Sequence, residues 1–270
     1  MRLLLCNDDG ISAPGIVALY DALAALCTAD GGPRFSDIMV VAPLTVQSAT
    51  SHGVTFRQPL ITKAVRASAS MSGIAVDGRP ADCVKLALSR LWPDRFGVGS
   101  RPDLVVSGMN MGANVGINVL YSGTVAAAIE AAFLGVPSIA VSQHLGSGQA
   151  RYDIAASHAA EVVARVLDRG PLRAHECLSI NVPITEAPGP CPPVKVCPMN
   201  AHGMIDAFTT NTNPLGETYY WAAGEPLEFH KLEPGSDVQG LFQGAITVTP
   251  LIYDLTDHPG VNHWRERLGR

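Results

Sequence analysis

The chain has 270 residues, of which 47% are hydrophobic and 16% charged, with a mean hydropathy of +0.19. That composition supports a large apolar core and excludes the disordered class; at about 100 to 200 residues per domain, the length fits one large domain or a core with an appendage. The formal charge of −5 argues against a general affinity for nucleic-acid polymers or anionic membranes, since both need a basic footprint.

Residues 2–6 form an apolar run that reads as a strand and stops at Asn7, Asp8, Asp9 and Gly10. Residues 15–27 space Ile16, Leu19, Leu23 and Leu26 at helical intervals, and 37–41 is a second short apolar strand. This βαβ order predicts a parallel pair whose ligands sit beyond the carboxyl ends of the strands. Asp8 and Asp9 lie at one such end and residues 42–53 at the next. Residues 78–92 read as a loop entering a helix, with Pro80 in its first turn and Asp82 complementing its positive end. A buried strand at 103–110, an Ala-rich helix at 123–135, a strand at 137–142, a helix at 154–168 and a strand at 177–183 follow. The alternation predicts a doubly wound α/β core over residues 1–183.

After Pro183 the pattern changes. Residues 184–200 are rich in proline, and 217–224 and 244–255 carry the alternation and β-branched content of hairpin arms. Residues 184–270 therefore read as a β-rich C-terminal extension that completes the site, mediates oligomerisation, or both. Residues 260–270 read as a weakly ordered tail.

Cysteines 6, 27, 83, 177, 191 and 197 form no C-x-x-C pair, which suits reduced thiols in a cytoplasmic protein. The start "MRLLLCNDD" has too short an apolar run for a signal peptide. The longest apolar stretch, 125–141, contains Glu130, Gly135 and Pro137 and falls below the roughly 18 to 20 residues of a spanning helix.

Two adjacent carboxylates repel, so Asp8 and Asp9 need compensation from water, helix N–H groups or a cation. Ser48 and Asn110, at the ends of other strands, add a hydroxyl and an amide oxygen. Such hard donors suit Mg²⁺ or Mn²⁺ rather than zinc. Helix capping by the two aspartates is the competing reading. Ser122, Gly123 and Thr124 lie at a helix start, where free N–H groups favour an anion, and the preceding glycine-spaced loop with Asn114 can wrap a ligand.

A cation beside an anion cradle fits metal-assisted phosphoester hydrolysis, with Asp8 or Asp9 as a direct nucleophile the other route. The chain has no G-x-x-x-x-G-K-[ST], G-x-G-x-x-G or G-x-S-x-G motif to support an NTPase, dinucleotide or serine-hydrolase reading. His52, His144, His202, His230, His258 and His263 show no zinc spacing. Tyr219, Tyr220 and Trp221 suit either base stacking or an interface.

The order of "MRLLLCNDDGISAPGI", "VVAPLTVQSATSHGVT" (40–55), "GRPADCVKLAL" (78–88), the glycine-rich run 103–142, "LSINVP" (178–183) and "GAITVTPL" (244–251) resembles the SurE survival-protein family. The resemblance implies a Rossmann-like doubly wound sheet of three layers, with a swapped C-terminal extension in homodimers or homotetramers. It also implies divalent-metal-dependent hydrolysis of nucleoside monophosphates at the 5′ or 3′ position, with short polyphosphate a further substrate of some members. By position, the family's metal ligands fall on Asp8, Asp9, Ser48 and Asn110, and its phosphate-side loop on Ser122, Gly123 and Thr124, with Asn114 nearby. Catalytic roles fall on Asp8, Asp9 and Ser122. The chain departs from the family at Leu44, usually acidic; at Arg79, usually threonine; and at Ile117 and Asn118, commonly acidic. These departures bear on substrate preference. A phosphatase for sugar phosphates or polyphosphate, a nucleotide-binding protein without catalysis, and an assembly protein remain the alternatives.

Overall fold

A computed structural model of the chain describes residues 1–223 and 227–269. Strand β1 (Arg2–Cys6) shows why the sheet is covered on both faces. Successive strand side chains point to opposite faces; Leu3 and Leu5 join one buried cluster, Leu4 and Cys6 a second. Neither face can be left to water, so helices cover each. Helix α1 (Pro14–Ala24) turns Ile16, Leu19 and Leu23 into the first cluster, with α5 (Tyr152–Asp168) packed beside it. On the second face lie α2 (Pro80–Leu86) and α4 (Gly123–Phe133), whose Ala127 and Ala131 let the helix come close. The wholly buried Trp92 opens the short α3 (Trp92–Phe96) and fills the same layer.

The central sheet runs β3 (Ile61–Arg66), β4 (Ser72–Asp77), β2 (Asp37–Pro43), β1, β5 (Leu104–Met111), β6 (Ser138–Gln143) and β7 (Cys177–Val182) in spatial order. From β4 to β7 the strands are parallel, and β3 pairs antiparallel with β4. The chain leaves β1 first toward β2 and later places β5 on the other flank of β1. Strand order therefore reverses between β1 and β5, and in doubly wound sheets ligands bind at that switch point, outside the carboxyl ends. The three-layer, doubly wound architecture is the expected one.

The C-terminal part differs from the sequence reading in two places. Residues 244–255 are not a hairpin arm: β11 (Ile246–Leu251) pairs antiparallel with β7 and extends the central sheet, with β8 (Val194–Val196) parallel to it at the edge. The reason is burial, since Ile246 and Val248 join the α1 and α5 cluster. The described part of the predicted 260–270 tail is not loose either, because a helix (His258–Arg267) runs through most of it, its start capped by Asp257 accepting from the Gly260 N–H at 3.0 Å. The other predicted arm is a hairpin, β9 (Phe208–Thr212) paired antiparallel with β10 (Thr218–Ala222) in a small sheet of its own. Gly224, at the end of the predicted 217–224 arm, and Arg270 lie outside the described residues. All six cysteines are free. Among the described residues no helix is long and apolar enough to cross a membrane.

Candidate active site

The polar turn after β1 is held by its own side chain and backbone. Asn7 Nδ2 donates to the Gly10 carbonyl at 2.8 Å, and Gly10 has φ of +97°, a conformation that side chains resist. The Ile11 N–H donates to the Pro43 carbonyl at 2.9 Å and so ties the turn to the end of β2. Asp8 is buried, 4% exposed, and its Oδ1 accepts from the Thr124 hydroxyl in the first turn of α4. Asp9 reaches β5 instead, its Oδ2 accepting from the Met111 N–H at 2.9 Å.

Burial pushes the Asp8 carboxyl up to about 6, against the Thr124 hydroxyl, which favours the anion, and with the neighbouring Asp9 adding to the rise. Burial also raises Asp9, opposed by the Met111 N–H. A carboxyl held above its unfolded value of 3.8 contributes stability that is complete below that value and lost as the pH rises through about 6. In EDTA, the thermal midpoint should carry this loss between about pH 4 and pH 7, at most about 3 kcal/mol at about 1.4 kcal/mol per pH unit. A titration of Tm against pH checks it, and Asp8→Asn should flatten the slope.

Other strand ends complete the site. Ser107 pairs with Ala140 and Asn110 with Ser142, so β5 carries one extra residue against β6, a bulge of the kind that re-aims a side chain. Asn110 Nδ2 donates to the Gly112 carbonyl at 2.7 Å, and among the described residues no protein donor reaches its Oδ1. The loop after β2 is tied to the turn by the Gln47 N–H, which donates to the Asp8 carbonyl at 2.8 Å. The Asn114 N–H donates to Asn181 Oδ1 and Asn114 Nδ2 to Ser142 Oγ, both at 2.8 Å, so the ends of β6 and β7 hold this loop. Ser122 caps α4, its Oγ accepting from the Val125 N–H at 3.1 Å. The N–H groups of Gly123 and Thr124 sit at the positive end of that helix. A Cβ at Gly123 would lie 2.9 Å from Asp8 Oδ2, so glycine keeps that side of the carboxylate open.

These elements enclose a cleft of about 560 Å³. Asp8, Ser48, Asn110, Asn114 and Ser122, predicted from sequence, all line it. Asp9, Gly123 and Thr124 adjoin it rather than face it: Asp9 through Met111, Gly123 against Asp8, and Thr124 with its hydroxyl committed to Asp8. Ile117, Asn118 and Tyr121 add to the lining, as do Gly203, Met204 and Asp206 from the C-terminal part. The last three escaped sequence reading because the stretch around them has no helical or strand period; a carboxylate three residues after a glycine was the available signal.

Arg79 does not line the cleft; its guanidinium packs on Gly53, where an added Cβ would sit 2.2 Å from Nη1. Leu44 is exposed. No histidine lines the cleft among the described residues, nor do Tyr219, Tyr220 or Trp221, which stand exposed on the β10 strand.

Two carboxylates, a hydroxyl and an amide oxygen can hold a hard divalent cation, and they fit one. Asp8 is buried and Asp9 half-buried, with one hydroxyl and one N–H as their side-chain partners, and among the described residues Asn110 Oδ1 has no protein donor. Among the described residues no three His, Cys, Asp or Glu side chains gather as a metal cluster, so such a site draws on neutral oxygens.

A family model described as survival protein SurE matches residues 3–205. The chain belongs to the SurE family. Similar curated proteins, each named 5′-nucleotidase SurE, come from Syntrophus aciditrophicus (39% identical, spanning 100% of this chain and 95% of the relative) and Heliobacterium modesticaldum (41%, spanning 100% and 92%). A third, from Variovorax paradoxus, is 40% identical over 100% of this chain and 99% of its own. The crystal structure of the SurE protein from Aquifex aeolicus superposes with a TM-score of 0.78 at 32% identity, covering 99% of this chain and all of that one. The SurE match spans Asp8, Ser48, Asn110 and Ser122 and stops one residue short of Asp206.

Proposed function

We propose that this SurE protein is a divalent-metal-dependent 5′-nucleotidase that converts nucleoside monophosphates to nucleoside and phosphate. The observation that carries the reading is the convergence of Asp8, Ser48, Asn110 and Ser122 from four chain segments on one cleft at the sheet's switch point. The names of the relatives support the substrate class.

Asp8, Asp9, Ser48 and Asn110 would hold one Mg²⁺ or Mn²⁺, which when bound polarises a phosphoryl oxygen and favours ionisation of water. Ser122 and the first N–H groups of α4 bind the phosphate and stabilise the charge that develops on it. Thr124 orients Asp8 through its hydroxyl, and Asn181 and Ser142 fix the Asn114 loop beside the phosphate. Because Asp8 Oδ1 already accepts from Thr124, Asp8 suits a ligand better than an attacking nucleophile. In the net reaction the oxygen of water bonds to phosphorus, the ester P–O bond breaks, and a proton passes to the departing nucleoside oxygen.

The reading extends to a cytoplasmic homodimer or homotetramer built with residues 184–270 as its contact surface, with residues 1–183 as the catalytic core. The exposed Phe208, Tyr220 and Trp221 of the β9–β10 hairpin support that use. Activity at the 3′ position and on short polyphosphate belongs to the same proposal. The test is phosphate release from nucleoside 5′- and 3′-monophosphates, sugar phosphates and short polyphosphate, with Mg²⁺, Mn²⁺ or EDTA. Release from 5′-monophosphates that EDTA abolishes is expected; release from sugar phosphates alone would reassign the substrate, and none at all would leave a binding protein.

A further inference from the structure

We propose that Glu130 is a positioning residue for the Ser48 loop, acting through His52, so that one helix, α4, sets both an acidic and a hydroxyl ligand of the candidate metal site. The inference rests on the metal reading above. Glu130 is 3% exposed on a helix whose other buried residues are mostly alanine. A carboxylate in such surroundings requires partners. His52 supplies one, with Nε2 2.7 Å from Glu130 Oε2; Lys85 Nζ stands 3.5 Å from Oε1, at ion-pair distance without a hydrogen bond.

His52 belongs to the loop that carries Ser48, and that loop is strained. Ala49 and Ser51 have φ of +55° and +54°, left-handed values that non-glycine residues keep only where the surroundings enforce them. The enforcing contacts bracket Ser48. Ahead of it, the Gln47 N–H donates to the Asp8 carbonyl; behind it, the Ser51 N–H donates to the Tyr121 carbonyl at 3.1 Å and Ser51 Oγ to the Leu120 carbonyl at 2.7 Å. The His52–Glu130 pair follows as the side-chain anchor reaching into the core. Helix α4 thus fixes Asp8 from its first turn, through Thr124, and the Ser48 loop from about two turns further on, through Glu130.

The test is calorimetric titration of the metal-free protein with Mn²⁺, for wild type, Glu130→Leu, His52→Ala and the double variant, with Tm in EDTA as control. Removal of partners that orient metal ligands weakens affinity by roughly 10–100-fold. Each single variant should raise the Mn²⁺ dissociation constant by about tenfold, and the double variant by no more than either single, because the two residues form one connection. A lower Tm with unchanged Mn²⁺ affinity, or losses that multiply in the double variant, would overturn the proposal. Wild type that fails to bind Mn²⁺ would instead remove the metal reading on which it stands. If Glu130→Leu does not fold, His52→Ala, at an exposed loop residue, carries the comparison alone.

Discussion

Asp8→Asn should lower metal-dependent phosphate release by roughly 10³-fold, the scale on which loss of a charged group at a developing phosphoryl charge acts. The same variant, in EDTA at pH 8, should melt higher than wild type. The two effects have one cause. Burial holds the Asp8 carboxyl up at about 6, so at pH 8 the metal-free fold keeps a charge where a neutral group is preferred. Asparagine retains an oxygen for the Thr124 hydroxyl and removes that charge. Phosphate-release assays and thermal melts on the same preparations check both halves. A variant that melts lower in EDTA would show Asp8 to be a structural helix-end residue, the competing reading of the Asp pair.

Gly15→Ala should destabilise the protein by about 3 kcal/mol, the upper range for overpacking, lowering Tm by roughly 6–12 °C for a chain of this size. Gly15, in the first turn of α1, lies against β5 so closely that a Cβ would sit 2.1 Å from the Met109 carbonyl oxygen. Backbone atoms cannot swing aside as a flexible side chain can, so α1 or β5 must move. Met109 directly precedes Asn110. The variant should therefore also weaken Mn²⁺ binding under conditions where it remains folded. Thermal melts with and without Mn²⁺ separate the two effects, and a metal-induced rise in Tm equal to that of wild type would show that β5 holds its position.

The core was legible because its signals are local. Residues 2–6, 37–41 and 103–110 are apolar runs of strand length, and residues 15–27 and 154–168 carry helical spacing; each became the expected element. Parallel strands need crossovers, and that alone placed Asp8, Ser48 and Asn110 at one end of the sheet. Failures arose where local pattern leaves the partner open. The alternation in 244–251 says strand, but whether it pairs with a hairpin neighbour or with β7 depends on which apolar face needs covering. Residues 61–66 are almost entirely exposed, so β3 leaves no burial period to read. At the site, residue types were legible and orientations were not. Thr124 looked like a phosphate contact by its place at a helix start, yet the approach of α4 to β1 commits its hydroxyl to Asp8. Met204 and Asp206 enter the cleft from a stretch distant in sequence and without regular structure.

The antiparallel return of β11 has a consequence for how the chain is made. Among the described residues strand β8 has β11 as its only neighbour in the sheet, and β7 has β11 on its outer edge, so neither can complete its pairing until residues 246–251 have left the ribosome. At about 5–20 residues per second the wait after β7 lasts on the order of several seconds. Throughout it the edge of β7 offers unpaired N–H and C=O groups to any strand that meets it. A strand made long after β7 is therefore the one that covers its edge, and a nascent or truncated polypeptide that stops short of residues 246–251 is the form most exposed to pairing with another copy.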